Sequence, residues 1–493
     1  MLPYKSLIAI NRDGILPVYI QICNQLIHLI KSGQLQKKTK LPGSRKLAVL
    51  LGIHRKTIIA AYDELYSQGW IAMQPSKGTF VIDELPVIHQ IPITQQLGKW
   101  PKEKAGFAYK TNACLHRGDP SIEKYELSIN DGIPDVRLAP VIEIARTYRQ
   151  IITRKNSHLH LSYGSQYGHI ALREVIVEYL NDSRGLSINV DNVLITRGSQ
   201  MGIYLAAEVL LDSNKCIVVG ETNYIAADLT FKNTGAKIKR IPVDKDGIVT
   251  SELEKMCKSK KINAVYVTPH HHHPTTVTLS AARRVELLKL AFQFGFAIIE
   301  DDYDYDFHYS HSPILPLASG DNDGMVIYLG ALCKLLSPAI RVGYIVAPKN
   351  IIDEIAHLRR IIDRQGDNIL EMTMAQMMKL GDIQRHSKKA LKIYKTRRDV
   401  FCKQLREQLG DVINFNTPEG GMAVWAELHK DLHWESIHQR AKRDGLFLEH
   451  HAKYDPMHQG HNGIRMGFAS LNEKEILIAI DKLKKAVSKV DRH

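Results

Sequence analysis

From residue 17 the chain places apolar side chains at helical spacing (Ile20, Ile22, Cys23, Leu26, Ile27 and Ile30), and the run stops at Lys31-Ser32-Gly33. That spacing predicts a helix with one packed face. A second helix is predicted from Ser44, read as its cap, through Leu47, Ala48, Leu50 and Leu51 to a stop at Gly52. After the turn Gly52-Ile53-His54, a third helix is predicted over about 55–68. Ile58, Ile59, Ala61, Tyr62 and Leu65 form its buried stripe, and Arg55, Lys56 and Thr57 its first turn. Residues 70–73 and 79–82 alternate as strands, joined by Pro75-Ser76-Lys77-Gly78 in a hairpin. Over 85–126 the periodicity disappears while Pro86, Pro92, Gly98, Pro101, Gly106 and Pro120 accumulate, which predicts a tether. Beyond it, helical patterns such as 172–180 and 281–292 alternate with short apolar runs at 193–196, 216–219, 264–267, 297–299, 326–328 and 343–346. This alternation predicts an α/β sheet covered by helices, with ligands at the strand ends.

A length of 493 residues exceeds one ordinary hydrophobic core, so at least two domains are expected. The expected boundaries are a head at 1–84, the tether at 85–126 and a body at 127–493. Within the body, a large domain is expected at about 155–395 and a small one from about 127–154 and 396–493. No apolar run reaches the ~18 residues of a membrane helix, and the first 14 residues are too polar for a secretory signal. A cytoplasmic location without membrane partners is therefore expected. Six cysteines lie far apart with no C-x-x-C pair, which argues against a zinc ribbon or a disulfide framework.

Charge sharpens the reading of the head. Residues 1–84 hold eight Lys and three Arg against five acids, a net of +6, while the other +8 of the formal +14 is spread over 409 residues. A basic head suits a phosphate-backbone partner. The third helix has the form of a recognition helix, with polar and basic groups in its first turn and an apolar stripe behind them. The strings LPGSRKLAVLLGIHRKTIIAAYDELYSQGW and SKGTFV resemble the winged helix-turn-helix of GntR-type bacterial regulators. The resemblance implies that Arg45, Arg55, Thr57 and the wing tip Lys77-Gly78 meet operator DNA, with Ser44 and Lys56 as phosphate neighbours.

Two strand ends in the body carry chemistry. Ile298-Ile299 is followed by Glu300-Asp301-Asp302-Tyr303, acids whose ionised forms are costly beside a buried strand without a cationic partner, such as a protonated pyridine nitrogen. Tyr328-Leu329-Gly330-Ala331-Leu332-Cys333-Lys334 ends another strand with one lysine, able to condense with an aldehyde, and Arg341 follows with a planar fork suited to phosphate. Together these residues resemble fold-type I pyridoxal-phosphate enzymes, and most closely the aminotransferase-like half of MocR-type regulators. The resemblance runs from about residue 128 to the C-terminus. It implies pyridoxal 5'-phosphate as cofactor, with Lys334 as the Schiff-base and catalytic lysine, Asp301 at the pyridine nitrogen, Tyr303 at the phenolic oxygen and Arg341 on the phosphate. It further implies Gly198-Ser199-Gln200 as a phosphate cradle, Tyr224 stacked on the ring, and His271, in the stretch Thr268 to Thr276, near the cofactor. Tyr163, with Gly164, resembles the segment that reaches a neighbouring subunit's site, which implies a homodimer, domain-swapped or head-to-tail. Asp131-Gly132-Ile133-Pro134-Asp135 resembles a P-G-x-P-D segment, so Gly132 lines the amine pocket, and Arg465 matches the arginine that holds a substrate carboxylate. An amino-acid or amine effector is implied.

Departures from the pattern matter as well. Ala331 and Cys333 stand where phosphate-binding hydroxyls are usual, Glu221-Thr222-Asn223-Tyr224 replaces an acid-x-Pro-Gly-Tyr turn, and Ala226 stands where the regulators that sense γ-aminobutyrate have a second carboxylate-binding arginine. Four adjacent histidines, His270 to His273, alternate faces along an extended segment and cannot converge on one metal ion, so no metal is expected. The leading reading is a transcription regulator of vitamin B6 or amino-acid and amine metabolism that senses pyridoxal phosphate, alone or with an amine. The alternatives are a working aminotransferase and an architectural DNA-binding protein with an inert body.

Overall fold

The apolar stripes of the head become three helices around one core. The computed structural model describes residues 2–84, 105–112, 115, 125–309, 314–457 and 460–488. Most of the expected tether at 85–126 lies outside the described residues, as does Cys114. The chain forms two compact units, Met1–Thr111 and Asn112–His493.

In the first unit a short α1 (Tyr4–Leu7), absent from the sequence reading, precedes α2 (Val18–Lys31), α3 (Ser44–Leu51) and α4 (Arg55–Ser67). Ile22, Leu26, Leu47, Ile58, Ala61 and Leu65 are fully buried at their junction. Ile59 is instead exposed, because it lies about 100° round the helix from the stripe formed by Ile58, Ala61, Tyr62 and Leu65. Ser44 is not a cap: Gly43 holds that position, and Ser44 opens α3 with its Oγ accepting from Arg55 Nε at 3.4 Å. The side chain of His54 caps α4 instead, accepting from Lys56 N–H at 3.2 Å. β1 (Ile71–Gln74) and β2 (Gly78–Val81) pair antiparallel, Ile71 opposite Val81 and Gln74 opposite Gly78, as a wing.

The second unit opens with β3 (Leu127–Ile129), α5 (Val141–Ile152), α6 (Ile170–Arg184), β4 (Val193–Thr196), α7 (Ser199–Leu210), β5 (Cys216–Gly220), α8 (Ile225–Asn233) and β6 (Lys237–Ile241). A two-residue ladder, β7 (Val243–Asp244) with β8 (Gly247–Ile248), leads to α9 (Thr250–Ser259), β9 (Ala264–Val267), α10 (Ala281–Phe294), β10 (Ala297–Asp302), β11 (Val326–Ala331) and β12 (Gly343–Val346). Then come α11 (Lys349–Ile362), α12 (Asn368–Lys379), the long α13 (Asp382–Leu409), β13 (Ile413–Phe415), β14 (Ala423–Leu428), α14 (Trp434–Arg443), β15 (Leu446–Leu448), β16 (Gly463–Gly467) and α15 (Glu473–Ser488). The main sheet has seven strands in the order β4-β12-β11-β10-β9-β5-β6. Neighbours are parallel except around β12, which runs antiparallel to both β11 and β4. Smaller sheets join β13, β14 and β16, and pair β15 with β3. The fold is thus a winged helix followed by an α/β unit built on a mixed seven-stranded sheet, the architecture that the sequence resemblance implied.

Three strands extend further than their apolar runs predicted, β5 by the single residue Gly220. β10 continues through Glu300, Asp301 and Asp302, and β11 through Leu329, Gly330 and Ala331. The acids therefore sit on the strand, where ladder bonding carries the backbone past the last apolar residue.

Candidate functional site

The ends of β10 and β11 lie side by side in register, with Asp301 opposite Leu329 and Asp302 opposite Gly330. Beyond them opens a cleft of about 950 Å3, lined by Asp301, Tyr303, Lys334, Arg341, Ser199, Gln200 and Tyr224 among others. Strand alternation gives the three consecutive acids different surroundings. Glu300 accepts from the backbone N–H groups of Leu317 (2.8 Å) and Ala318 (2.9 Å); burial, with Asp302 nearby, pushes its carboxyl up to about 8. Burial would also raise Asp302, but His270 and Arg184 hold it at about 2. Asp301, between them, lines the cleft. Burial pushes it up to about 7 against the pull of Tyr266, whose hydroxyl donates to Oδ2 at 2.7 Å.

Lys334, three residues past β11, donates to the Gly132 carbonyl at 2.5 Å. Burial, reinforced by Arg465, lowers its ammonium to about 8, so neutral amine is accessible close to neutrality. At the same cleft, Gly198 holds the cap position before α7, with a left-handed φ of 81°. A Cβ there would lie 2.9 Å from the Arg341 guanidinium, so glycine lets that cation approach the helix N-terminus. Arg341 is itself left-handed at φ 48° and donates from Nη2 to the Arg197 carbonyl at 2.6 Å. A helix start without a side-chain cap, beside an arginine, suits a phosphate or other anion. Gln200 turns its amide to Thr230 Oγ1 at 2.9 Å, and Cys333 directs its thiol to the Val342 carbonyl.

The substrate side is organised around Arg465, which is fully buried on β16. Its Nη1 donates to the Pro274 carbonyl at 3.1 Å, its Nη2 to Tyr303 Oη at 3.3 Å, and its Nε lies 3.5 Å from Asp131 Oδ1. Tyr303 Oη in turn donates to the His271 carbonyl at 2.8 Å. Tyr163 does not line this cleft; it is 75% exposed, with Arg364 4.0 Å from its ring.

The four histidines point four ways. His270 Nε2 meets the Ile314 carbonyl, His271 Nδ1 meets Asp304, His272 Nε2 meets the Thr222 carbonyl and His273 Nε2 meets Asp131. The structure therefore does not bring the His271 side chain to the cleft. The segment bends and turns here instead of running extended, so His273, two residues on, lines the cleft where His271 does not, edge-on to Tyr224 at 5.1 Å between ring centroids. Outside this run, Glu435, His450 and His451 hold possible ligand atoms within 4.8 Å of one another.

On the head, Arg45, Arg55, Lys56, Lys77 and Gly78 are exposed, and Ser44 and Thr57 half-buried. Arg45, Arg55 and Thr57 line one groove with His54 and Arg12, whose guanidinium donates to the Gly52 carbonyl at 3.2 Å. Arg12 precedes the periodic region and had no pattern to mark it.

Residues 122–483 match the family of class I and II aminotransferases. The chain belongs to that family. Residues 18–81 match the bacterial regulatory proteins of the gntR family, so this aminotransferase-family body follows a head of a DNA-binding type. The probable rhizopine catabolism regulatory protein MocR of Rhizobium meliloti is 26% identical across 97% of this chain and 96% of its own, so both parts occur together in a regulator. Aromatic-amino-acid aminotransferase 1 of Thermococcus litoralis is 28% identical over 73% of this chain and 88% of its own length. The Pyrococcus horikoshii kynurenine aminotransferase structure superposes with a TM-score of 0.72 at 27% identity, covering 77% of this chain and 97% of that one. No helix of the described residues is long and apolar enough to cross a membrane.

Class I and II aminotransferases generally use pyridoxal phosphate, and the cleft fits that group on two counts. Asp301 Oδ1 is buried with no hydrogen-bond partner among the described residues, a demand that a protonated ring nitrogen meets. The glycine-led helix start beside Arg341 is shaped for a phosphate. Sequence reasoning placed Asp131 in the amine-pocket segment and His273 in the cofactor-side loop but missed Lys453 and Tyr454, which come to Asp131 from more than 300 residues away.

Proposed function

We propose that this chain is a pyridoxal-phosphate-responsive transcription regulator of vitamin B6 or amino-acid and amine metabolism. In this reading the head holds operator DNA while the body senses the cofactor, alone or together with an amine. The observation that carries it is the convergence of Lys334, Asp301 and the Gly198–Arg341 cradle on one cleft, in a chain whose head is of the gntR type. When bound, the cofactor supplies an aldehyde that reacts reversibly with amines, and a near-visible absorbance.

Each residue then has a definite task. Lys334 offers a neutral amine, Asp301 holds a proton on the ring nitrogen, and Arg341 with the first N–H groups of α7 fixes the phosphate. Tyr224 covers the ring, and Tyr303 presents a hydroxyl already oriented by the His271 carbonyl. Exposed Tyr163, together with exposed Ile142, Leu159, Leu161 and Ile361, supports a homodimer in which Tyr163 reaches the other subunit's cleft. A working aminotransferase is the second reading, favoured by the intact lysine, aspartate and arginine geometry. Ala331 and the Cys333 thiol, which withhold hydroxyls from the phosphate, weigh against it.

The test is capture of sheared genomic DNA by the purified protein at physiological salt, with and without pyridoxal phosphate, followed by sequencing. Discrete sites whose recovery changes with the cofactor, and no longer do so in Lys334→Ala, are expected. Uniform recovery combined with turnover of an amino acid and an oxo acid would replace this reading with the aminotransferase.

A further inference from the structure

The carboxylate of Asp131 lies 3.5 Å from Arg465 Nε, which donates to the backbone carbonyl of the same residue at 3.3 Å. Both of its oxygens are engaged: Oδ2 meets His273 Nε2 and Lys453 Nζ, each at 3.0 Å, and Oδ1 accepts from Tyr454 Oη at 2.9 Å and faces Arg465 Nε at 3.5 Å. Burial alone would raise this carboxyl, but His273, Lys453 and Arg465 hold it well below the ordinary carboxylate range, so it is ionised at neutral pH. The second cation is matched as well, since Lys453 also pairs with Glu449 at 3.2 Å.

Arg465 is the buried cation beside Lys334, and it lowers that amine's pKa. A ligand whose nitrogen is delivered to Lys334 would set a carboxylate on the adjacent carbon against Arg465. Every nitrogen of Arg465 already has a partner in Asp131, Pro274 or Tyr303. A tethered carboxylate competes at an effective concentration that millimolar free ligand does not match, and a second carboxylate beside Asp131 brings like-charge repulsion in a partly desolvated site.

We infer that this cleft selects primary amines that lack an α-carboxylate, with Asp131 as the residue that excludes amino acids. The inference rests on the proposed cofactor-sensing role and names its ligand class. The distant part of such an amine faces Ala226, Ile133 and Phe447, which line the same cleft.

The experiment titrates the full-length, cofactor-loaded protein with matched pairs that differ by one carboxylate: tyramine and tyrosine, putrescine and ornithine, isoamylamine and leucine. The readouts are the shift of the cofactor absorbance band and the change in retention of an operator fragment. At least one amine is expected to bind tenfold or more tightly than its amino acid. Asp131→Asn is expected to move that ratio at least tenfold toward the amino acid, because it removes the charge and keeps the shape. Amino acids binding the unaltered protein as tightly as every amine would overturn the inference, a comparison that needs no variant to fold. An unchanged ratio in a folded Asp131→Asn protein, checked by its melting temperature, would also overturn it. If the unaltered protein holds no cofactor band after dialysis, the sensing role fails and this inference with it; a retained band with amino acids preferred removes this inference alone.

Discussion

Asp301 is a carboxyl whose surroundings make it wait for a cation. Its folded-state value of about 7 lies above the ordinary 3.8, so between those values the folded chain holds a proton that the unfolded chain has released. For such a group the stabilisation is fully present below the unfolded value and is lost as pH rises through the folded one. Each pH unit inside that window corresponds to about 1.4 kcal/mol. In cofactor-free protein, Asp301→Asn removes the titration, and the stability of the variant relative to the parent should rise by roughly 2–3 kcal/mol between pH 5 and pH 8. Denaturant midpoints at the two pH values measure it. A difference that does not change with pH would mean that the carboxyl ionises as it does in water.

The strands and helices around that carboxyl set how close the other groups come, and Gly198 at the head of α7 is the clearest case. Its φ of 81° and the 2.9 Å approach of Arg341 to an added Cβ make Gly198→Ala costly twice over. Cofactor affinity should fall about tenfold, about 1.4 kcal/mol, while the head's DNA affinity without cofactor stays unchanged; absorbance titration and fragment retention separate the two. In the head, Arg55 opens α4 in the exposed groove. Arg55→Ala should weaken binding, and if its contact is to phosphate the slope of log affinity against log salt should shrink by about one. Uninterrupted apolar runs made β4, β9 and β12 legible to the residue, because strands buried on both faces need nothing else. β6, Lys-Ile-Lys-Arg-Ile at the sheet edge, was hidden by its exposed Lys237 and its part-buried Lys239 and Arg240. The lysine, aspartate and arginine of the cleft could be read from local strings. The hub on Asp131 could not, since His273, Lys453 and Arg465 lie 142, 322 and 334 residues away and no local pattern connects them.

If the body senses for the head, the two compact units must exchange free energy, and thermodynamic linkage makes that exchange reciprocal. Whatever factor pyridoxal phosphate applies to the affinity for an operator fragment, the fragment must apply to the affinity for pyridoxal phosphate. A factor of 5 to 150, about 1–3 kcal/mol, is the usual range for such coupling. Two titrations of the full-length protein test it. The first follows fragment retention with and without saturating cofactor, and the second follows the cofactor absorbance with and without saturating fragment. Equal factors above one, or equal factors below one, establish a sensor and give the sign of the response: the cofactor promotes binding in the first case and release in the second. Factors of one in both titrations describe a body indifferent to what the head holds, as expected of an aminotransferase tethered to DNA. Because Lys334→Ala removes the covalent attachment of the cofactor without touching the head, the same variant should bring both factors to one if the coupling runs through that bond. A factor that survives in the variant would place the coupling elsewhere than in that bond.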